Sequence, residues 1–197
     1  MSSHYLINQT LSASAERVSY KKTMNYATVK YFDIANGLGI RTSLFVSGCT
    51  HRCKNCFNSE AWDFNYGKPF DDKIQEDIIN SLKNPFNDGL SLLGGEPFEP
   101  SNQKGLLPFL KRAKAEIPNL NIWCYTGYLF DEELLKDSRA KTEDTLEMLK
   151  LIDVLVDGKF VEELKNLNLR FKGSSNQRII DVKKSLEENK VVLYQLD

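Results

Sequence analysis

The chain has 197 residues, of which 41% are hydrophobic and 27% charged, enough for one domain with a substantial core. Its 26 Lys and Arg against 27 Asp and Glu leave a formal net charge of −1, which excludes a global field that gathers nucleic acid or an anionic membrane. No run approaches the ~18 apolar residues of a membrane-spanning helix, and the N-terminus lacks the apolar stretch of a secretory signal. A cytoplasmic location follows as the expectation, and that compartment keeps thiols reduced and available as metal ligands.

In chain order, residues 1–23 are rich in Ser, Thr and basic residues with little periodicity, and read as a flexible N-terminal leader to a single domain over 24–197. Met24 is as readily an alternative start as an ordinary internal methionine. Arg41–Ser47 (RTSLFVS) reads as a strand that ends at Cys49, Cys53 and Cys56, a CxxxCxxC triplet holding three of the four cysteines. The segment Phe70–Lys83 places Ile74, Ile78, Ile79 and Leu82 on one helical face. Gly89–Leu93 is a second strand, closed by Gly94-Gly95-Glu96-Pro97. A helix over Ser101–Glu116 turns Leu106, Leu107, Leu110 and Ala113 inward, with Pro108 near its first turns. Leu120–Tyr125 is a third strand ending at Thr126-Gly127. Residues 130–150 hold one broken helix or two short ones around Leu134, Leu135, Leu146 and Leu149. Ile152–Val156 is a fourth strand running into Asp157-Gly158-Lys159. Gln177–Ile180 and Val191–Leu196 are shorter strand candidates with a helical stretch between them.

Strands separated by helices predict an α/β fold, a partial (incomplete) βα barrel of about five to six parallel strands. The polar, glycine-bearing motifs all follow strands, which in such folds is the ligand-binding edge of the sheet. Three thiolates on one short loop are one fewer than a structural zinc site or a protein-only iron-sulfur cluster takes. A zinc knuckle completed by Cys124 or His51 is one reading, and a cluster with one open iron is the other. Cys124 lies mid-strand between Trp123 and Tyr125, a core position, and His51 reads as an exposed loop residue. Glycines at 94 and 95 permit close backbone approach to a ligand, and Glu96 is suited to accept from an ammonium group.

The triplet after the first core strand, with Gly94-Gly95-Glu96-Pro97 after the next, resembles the radical S-adenosylmethionine (SAM) superfamily. The further stretches Asp33–Arg41, Cys56-Phe57-Asn58, Trp62, Tyr125–Tyr128, Asp153–Phe160 and Gly173–Arg178 resemble the anaerobic ribonucleotide reductase activating proteins. That resemblance covers about Met24 to Asp181. It implies a 4Fe-4S cluster on Cys49, Cys53 and Cys56, with SAM on the fourth iron. It implies reductive cleavage of SAM to a 5'-deoxyadenosyl radical, which takes hydrogen from a glycine of the large reductase subunit.

The resemblance also suggests a flavodoxin-like electron donor, and no nucleic acid or membrane partner. Gly94, Gly95 and Glu96 are then expected at the methionine end of SAM. Thr126, Asp157 and Lys159 are expected to face the same pocket, Asp157 toward the ribose or a bound cation and Lys159 toward the methionine carboxylate. Asn55 departs from the aromatic residue that many superfamily members carry before the third cysteine, and Phe57 follows Cys56 instead. The alternatives are an activase for another glycyl radical enzyme, of the pyruvate formate-lyase type, and a non-catalytic zinc-binding module.

Overall fold

The computed structural model describes residues 24–196, so the leader expected over 1–23 lies outside the described residues. Seven strands form one sheet: β1 (Asn25–Asp33), β2 (Arg41–Val46), β3 (Lys68–Pro69), β4 (Gly89–Gly94), β5 (Ile122–Tyr125), β6 (Val154–Asp157) and β7 (Arg178–Asp181). Four α-helices accompany them: α1 (Asp72–Leu82), α2 (Pro100–Glu116), α3 (Thr145–Leu151) and α4 (Val182–Glu188). The spatial order is β3-β1-β2-β4-β5-β6-β7. Strands β2, β4, β5 and β6 run parallel, in registers such as Leu44 opposite Leu92 and Leu92 opposite Cys124.

The parallel run is therefore four strands, shorter than the expected five to six. Strand β1 is antiparallel to β2 because residues 34–40 between them are too few for a helical crossover. Strand β7 is antiparallel to β6, reached through residues 158–177, which hold only a 3-10 turn at Glu162–Leu164. The fold is a mixed α/β sheet with a parallel centre. Strand β1 has no counterpart in the predicted elements, since Asn25–Asp33 mixes aromatic, charged and small residues and carries two register shifts against β2. The strand expected over Val191–Leu196 is reduced to one bridge, Leu193 to Ile180.

Side-chain alternation along the strands separates two faces. Leu44, Val46, Leu90, Leu92, Ile122, Cys124, Leu155 and Ile180 join one core with Ile78 and Ile79 of α1, Leu106 and Leu110 of α2, and Met148 and Leu149 of α3. Trp123, Val154, Val156 and Ile179 point the other way, packed against Leu38, Phe171, Tyr194 and Leu196 from irregular segments. Helices thus cover one face and loops the other. Helix α1 starts where Asp71 accepts from the Ile74 N–H at 3.1 Å. Helix α2 starts at Pro100, so Pro108 lies in its interior rather than near its first turns. Of the leucines named for residues 130–150, Leu134 and Leu149 are buried while Leu146 is exposed, and α3 also buries Thr145 and Met148.

On the loop-covered face, Arg41 is buried with no carboxylate among its hydrogen-bond partners. It donates from Nε to Ser91 Oγ at 2.8 Å, from Nη1 to Leu38 O at 3.1 Å, and from Nη2 to Leu90 O at 2.9 Å and Asn121 O at 3.0 Å. Burial pushes its pKa down to about 10, yet the guanidinium still stitches the starts of β2, β4 and β5 together. Arg41→Ala will leave these buried acceptors without a donor and cost on the order of 3 kcal/mol, read as a lower denaturant midpoint at unchanged slope.

Candidate functional site

Because β2, β4, β5 and β6 are parallel, the segments that follow them emerge at one edge of the sheet. They are the cysteine loop after Val46, Gly94–Glu96, Thr126-Gly127 and Gly158. These segments line a cleft of about 440 Å³, together with Trp62, Tyr125 and the loop Lys165–Gly173. The three loop cysteines line it as well, each partly exposed and none in a disulfide.

The cysteine loop is held by its backbone. Gly48 N donates to Ala61 O at 2.8 Å, Cys49 N to Trp62 O at 3.2 Å and Cys56 N to Cys53 O at 3.2 Å. The glycine turn after β4 lies directly on its entry, with Gly95 N on Val46 O at 2.7 Å and Glu96 N on Gly48 O at 2.8 Å. The close approach that Gly94 and Gly95 permit is thus, first of all, to the protein's own backbone. Asn102, buried in the first turn of α2, adds Nδ2 bonds to Ser47 O at 3.0 Å and Glu96 O at 2.9 Å.

Glu96 is 1% exposed and accepts four hydrogen bonds: Phe98 N and Thr126 Oγ1 on Oε1, both at 2.8 Å, then Gly127 N at 2.7 Å and His51 Nε2 at 3.0 Å on Oε2. His51 does not stand in solvent as its loop position suggested. Its side chain is 5% exposed and packs on Tyr128 with ring centroids 4.3 Å apart. Glu99, equally buried, accepts from the Thr50 N–H at 2.8 Å and from the Thr50 hydroxyl. Arg139 Nη2 donates to the other Glu99 oxygen at 2.9 Å, while Nη1 reaches Thr50 Oγ1.

The remaining expected site residues divide. Thr126 is buried on the cleft wall and donates to Glu96. Asp157 does not line the cleft: it is fully buried, and its carboxylate is taken by Phe130 N at 2.8 Å and by two donors of Arg178. Its position at the end of β6 suggested a ribose contact, but the side chain turns into an ion pair that joins β6 to β7. Lys159 is exposed and is not among the residues that line the cleft, and its charge only partly offsets the burial that raises the Cys53 thiol. Asn176 and Gln177 brace the loop after β6, donating to Lys159 O and Gly158 O, each at 2.9 Å.

This donor set fits an iron-sulfur cluster with one position not filled by protein. Cys124 is fully buried in the helix-facing core on β5 and does not line the cleft, while His51, which lines it beside the thiols, has its Nε2 taken by Glu96 and its ring packed on Tyr128. Among the described residues, no three His, Cys, Asp or Glu side chains converge on a single ion. Thiols that each meet a different iron of a cluster need no such convergence. Burial, and next the charge of Glu96, pushes the Cys49 thiol up to about 12, so a bound cation is what would draw its proton off. Two buried polar atoms in the cleft wall, Trp62 Nε1 and the Tyr125 hydroxyl, have no hydrogen-bond partner among the described residues and can meet a ligand rich in acceptors.

Sequence reasoning missed Thr50, Glu99, Asn102, Tyr128 and Arg139. The spacing of Glu96 and Glu99 just after the glycine turn was a usable signal for one of them. Nothing local marks Arg139, which arrives from a distant loop.

Residues 35–180 match the family model described as a 4Fe-4S single cluster domain. The anaerobic ribonucleoside-triphosphate reductase-activating protein of Haemophilus influenzae is 48% identical over 158 residues, covering 79% of this chain and 97% of that protein. Its counterpart in Escherichia coli K12 is 44% identical over 156 residues, 78% and 96% of the two chains. The protein of the same name from Enterobacteria phage T4 is 36% identical over 156 residues, 79% and 93%. With the cysteine loop, the glycine turn and the parallel centre of the sheet inside the matched region, the chain belongs to the family of anaerobic ribonucleoside-triphosphate reductase-activating proteins.

Proposed function

We propose that this chain activates an anaerobic ribonucleoside-triphosphate reductase as a radical SAM enzyme, with Cys49, Cys53 and Cys56 as the ligands of a 4Fe-4S cluster. The observation that carries the reading is the convergence of four strand-end segments on one cleft that holds three free thiols. When bound, the cluster supplies the electron that splits SAM into methionine and a 5'-deoxyadenosyl radical, which removes a hydrogen atom from a glycine of the reductase.

The chain's own residues bind, orient and exclude water. Gly94, Gly95, the Glu96 backbone and Thr126 form the wall against which the methionine end of SAM would lie, and Lys159, which follows Gly158 of that wall in the chain, suits its carboxylate. Tyr125 and Trp62, on the cleft wall, offer donors that have no partner among the described residues. Asp157 contributes at one remove, by holding Arg178 and with it the end of β6. The sheet, with helices on one face, is in this reading a partial βα barrel whose uncovered rim admits the reductase. Phe57 and Leu167, 87% and 90% exposed, both line that rim, and a docked protein would shield the cleft from water. No helix among the described residues is long and apolar enough to cross a membrane. A cytoplasmic setting with a flavodoxin-like donor suits the low potential that the reaction demands.

The test is anaerobic incubation of the reconstituted protein with dithionite, SAM and the reductase, followed by electron paramagnetic resonance. A glycyl radical signal on the reductase that requires SAM is the expected result. A signal on a pyruvate formate-lyase type enzyme, with none on the reductase, would shift the reading to that second class of activase.

A further inference from the structure

The side chain of Glu96 is surrounded by protein. A carboxylate offers about four lone-pair positions, and His51, Thr126, Phe98 and Gly127 occupy four. An ammonium group could reach it only by displacing one of these donors, three of which, His51, Thr126 and Gly127, come from residues that line the cleft. Its acidic neighbour on the same turn, Glu99, is engaged in the same manner by Thr50 and Arg139. The two residues these acids grip, Thr50 and His51, are consecutive and lie between the first two cysteines of the loop.

We propose that Glu96 and Glu99 are positioning residues which clamp the Cys49–Cys53 segment through His51 and Thr50, and that the Glu96 carboxylate serves the cysteine loop rather than the ammonium of SAM. The clamp answers a mechanical need. The loop carries left-handed φ values at two non-glycine residues, Arg52 at 48° and Asn55 at 55°, and Cys49 sits before the first of them. Backbone bonds reach the loop at Gly48, Cys49 and Cys56, leaving Thr50-His51 to be held by side chains. His51 is fixed on both sides, by Tyr128 against its ring and by Glu96 at its Nε2–H. Gly127 completes the seat, since a Cβ there would stand 2.5 Å from the imidazole. A ligand loop held from behind in this way presents Cys49 and Cys53 in one relative arrangement before any metal arrives.

The proposal rests on the functional reading for the identity of the metal group and is tested in the full-length, reconstituted protein without SAM. Two readouts are used: the rate of iron release to a chelator and the paramagnetic resonance spectrum of the reduced cluster. His51→Leu removes the donor to Glu96, and iron release should accelerate about tenfold or more, the usual scale for losing an outer-shell partner of a metal ligand. His51→Gln restores a donor at similar reach and should stay within about twofold of the parent, with the parent's spectrum. Glu96→Gln should match His51→Leu before SAM is added, and the double variant should be no worse than either single one. Parent-like iron release and spectrum in both His51→Leu and Glu96→Gln, with Glu96→Gln weakening SAM binding alone, would overturn the clamp in favour of a direct ammonium contact. If Glu96→Gln does not fold, the His51 pair decides. If the parent holds zinc instead of iron, the functional reading fails, and metal release from His51→Leu against His51→Gln still decides the clamp.

Discussion

Replacing any one of Cys49, Cys53 or Cys56 by Ala will abolish SAM cleavage under dithionite and strip the protein of most of its iron. Each thiol lies on the cleft, partly exposed and free of disulfides, whereas Cys124 does not line it and His51 has its Nε2 taken by Glu96. A cluster held by three protein thiolates has no redundancy, because losing one leaves an iron with no protein ligand. Cys124→Ala is the internal control. Its sulfur is buried among Leu92, Leu155 and the α2 side chains, and burial raises its thiol well above the ordinary cysteine value. That variant should keep its iron and its brown colour while losing some stability to the small cavity, on the order of 1 kcal/mol. Iron content and SAM turnover, measured side by side on the four variants, check the assignment. Full turnover in any one of the three loop variants would remove that cysteine from the ligand set.

The second large effect is expected at Gly95. A Cβ there would stand 2.6 Å from Gly48 O and 3.0 Å from Ala61 O, both backbone atoms that cannot swing aside. Gly95→Ala must therefore push the glycine turn off the entry to the cysteine loop. That loosens the bonds from Glu96 N to Gly48 O and from Gly48 N to Ala61 O, each 2.8 Å long. Overpacking of this kind costs about 1–3 kcal/mol, and here it falls on the contact that aligns the ends of β2 and β4. The variant should show a lower urea midpoint, reduced iron retention and a higher KM for SAM. Gly173→Ala is the comparison, since a Cβ there meets only side chains, the nearest being the Phe160 ring at 3.1 Å. Equal behaviour of the two variants would mean that the glycine turn is not a tight backbone contact in solution.

The four central strands and the motifs after them were legible because each is a local pattern. A β-branched or aliphatic run, a closing glycine and a following helical period are all contained within about twenty residues. The cysteine triplet was legible for the same reason, since eight consecutive positions hold all of it. Strand β1 was not, because an outer strand with nearly all its side chains exposed or half-buried has no need of strict alternation. The direction of β7 was also hidden, because it depends on what the preceding loop fails to build rather than on the strand's own residues. Asp157 shows the same limit within the site: its place at a strand end was legible, while its capture by Arg178 was not.

The sequence by itself determined which atoms can hold a cluster and that they lie at the end of a strand, since thiolate chemistry and short-range periodicity are properties of adjacent residues. The tertiary structure decided which of those atoms remain open to a ligand. The bonds of Glu96 to His51, of Thr50 to Glu99 and of Arg139 to Thr50 span 45, 49 and 89 residues. Only close packing of distant elements brings such groups together, and once together they fill the lone pairs that a motif alone leaves vacant. The three cysteines keep their exposure to the cleft, while the acid beside them is turned to hold their loop in place.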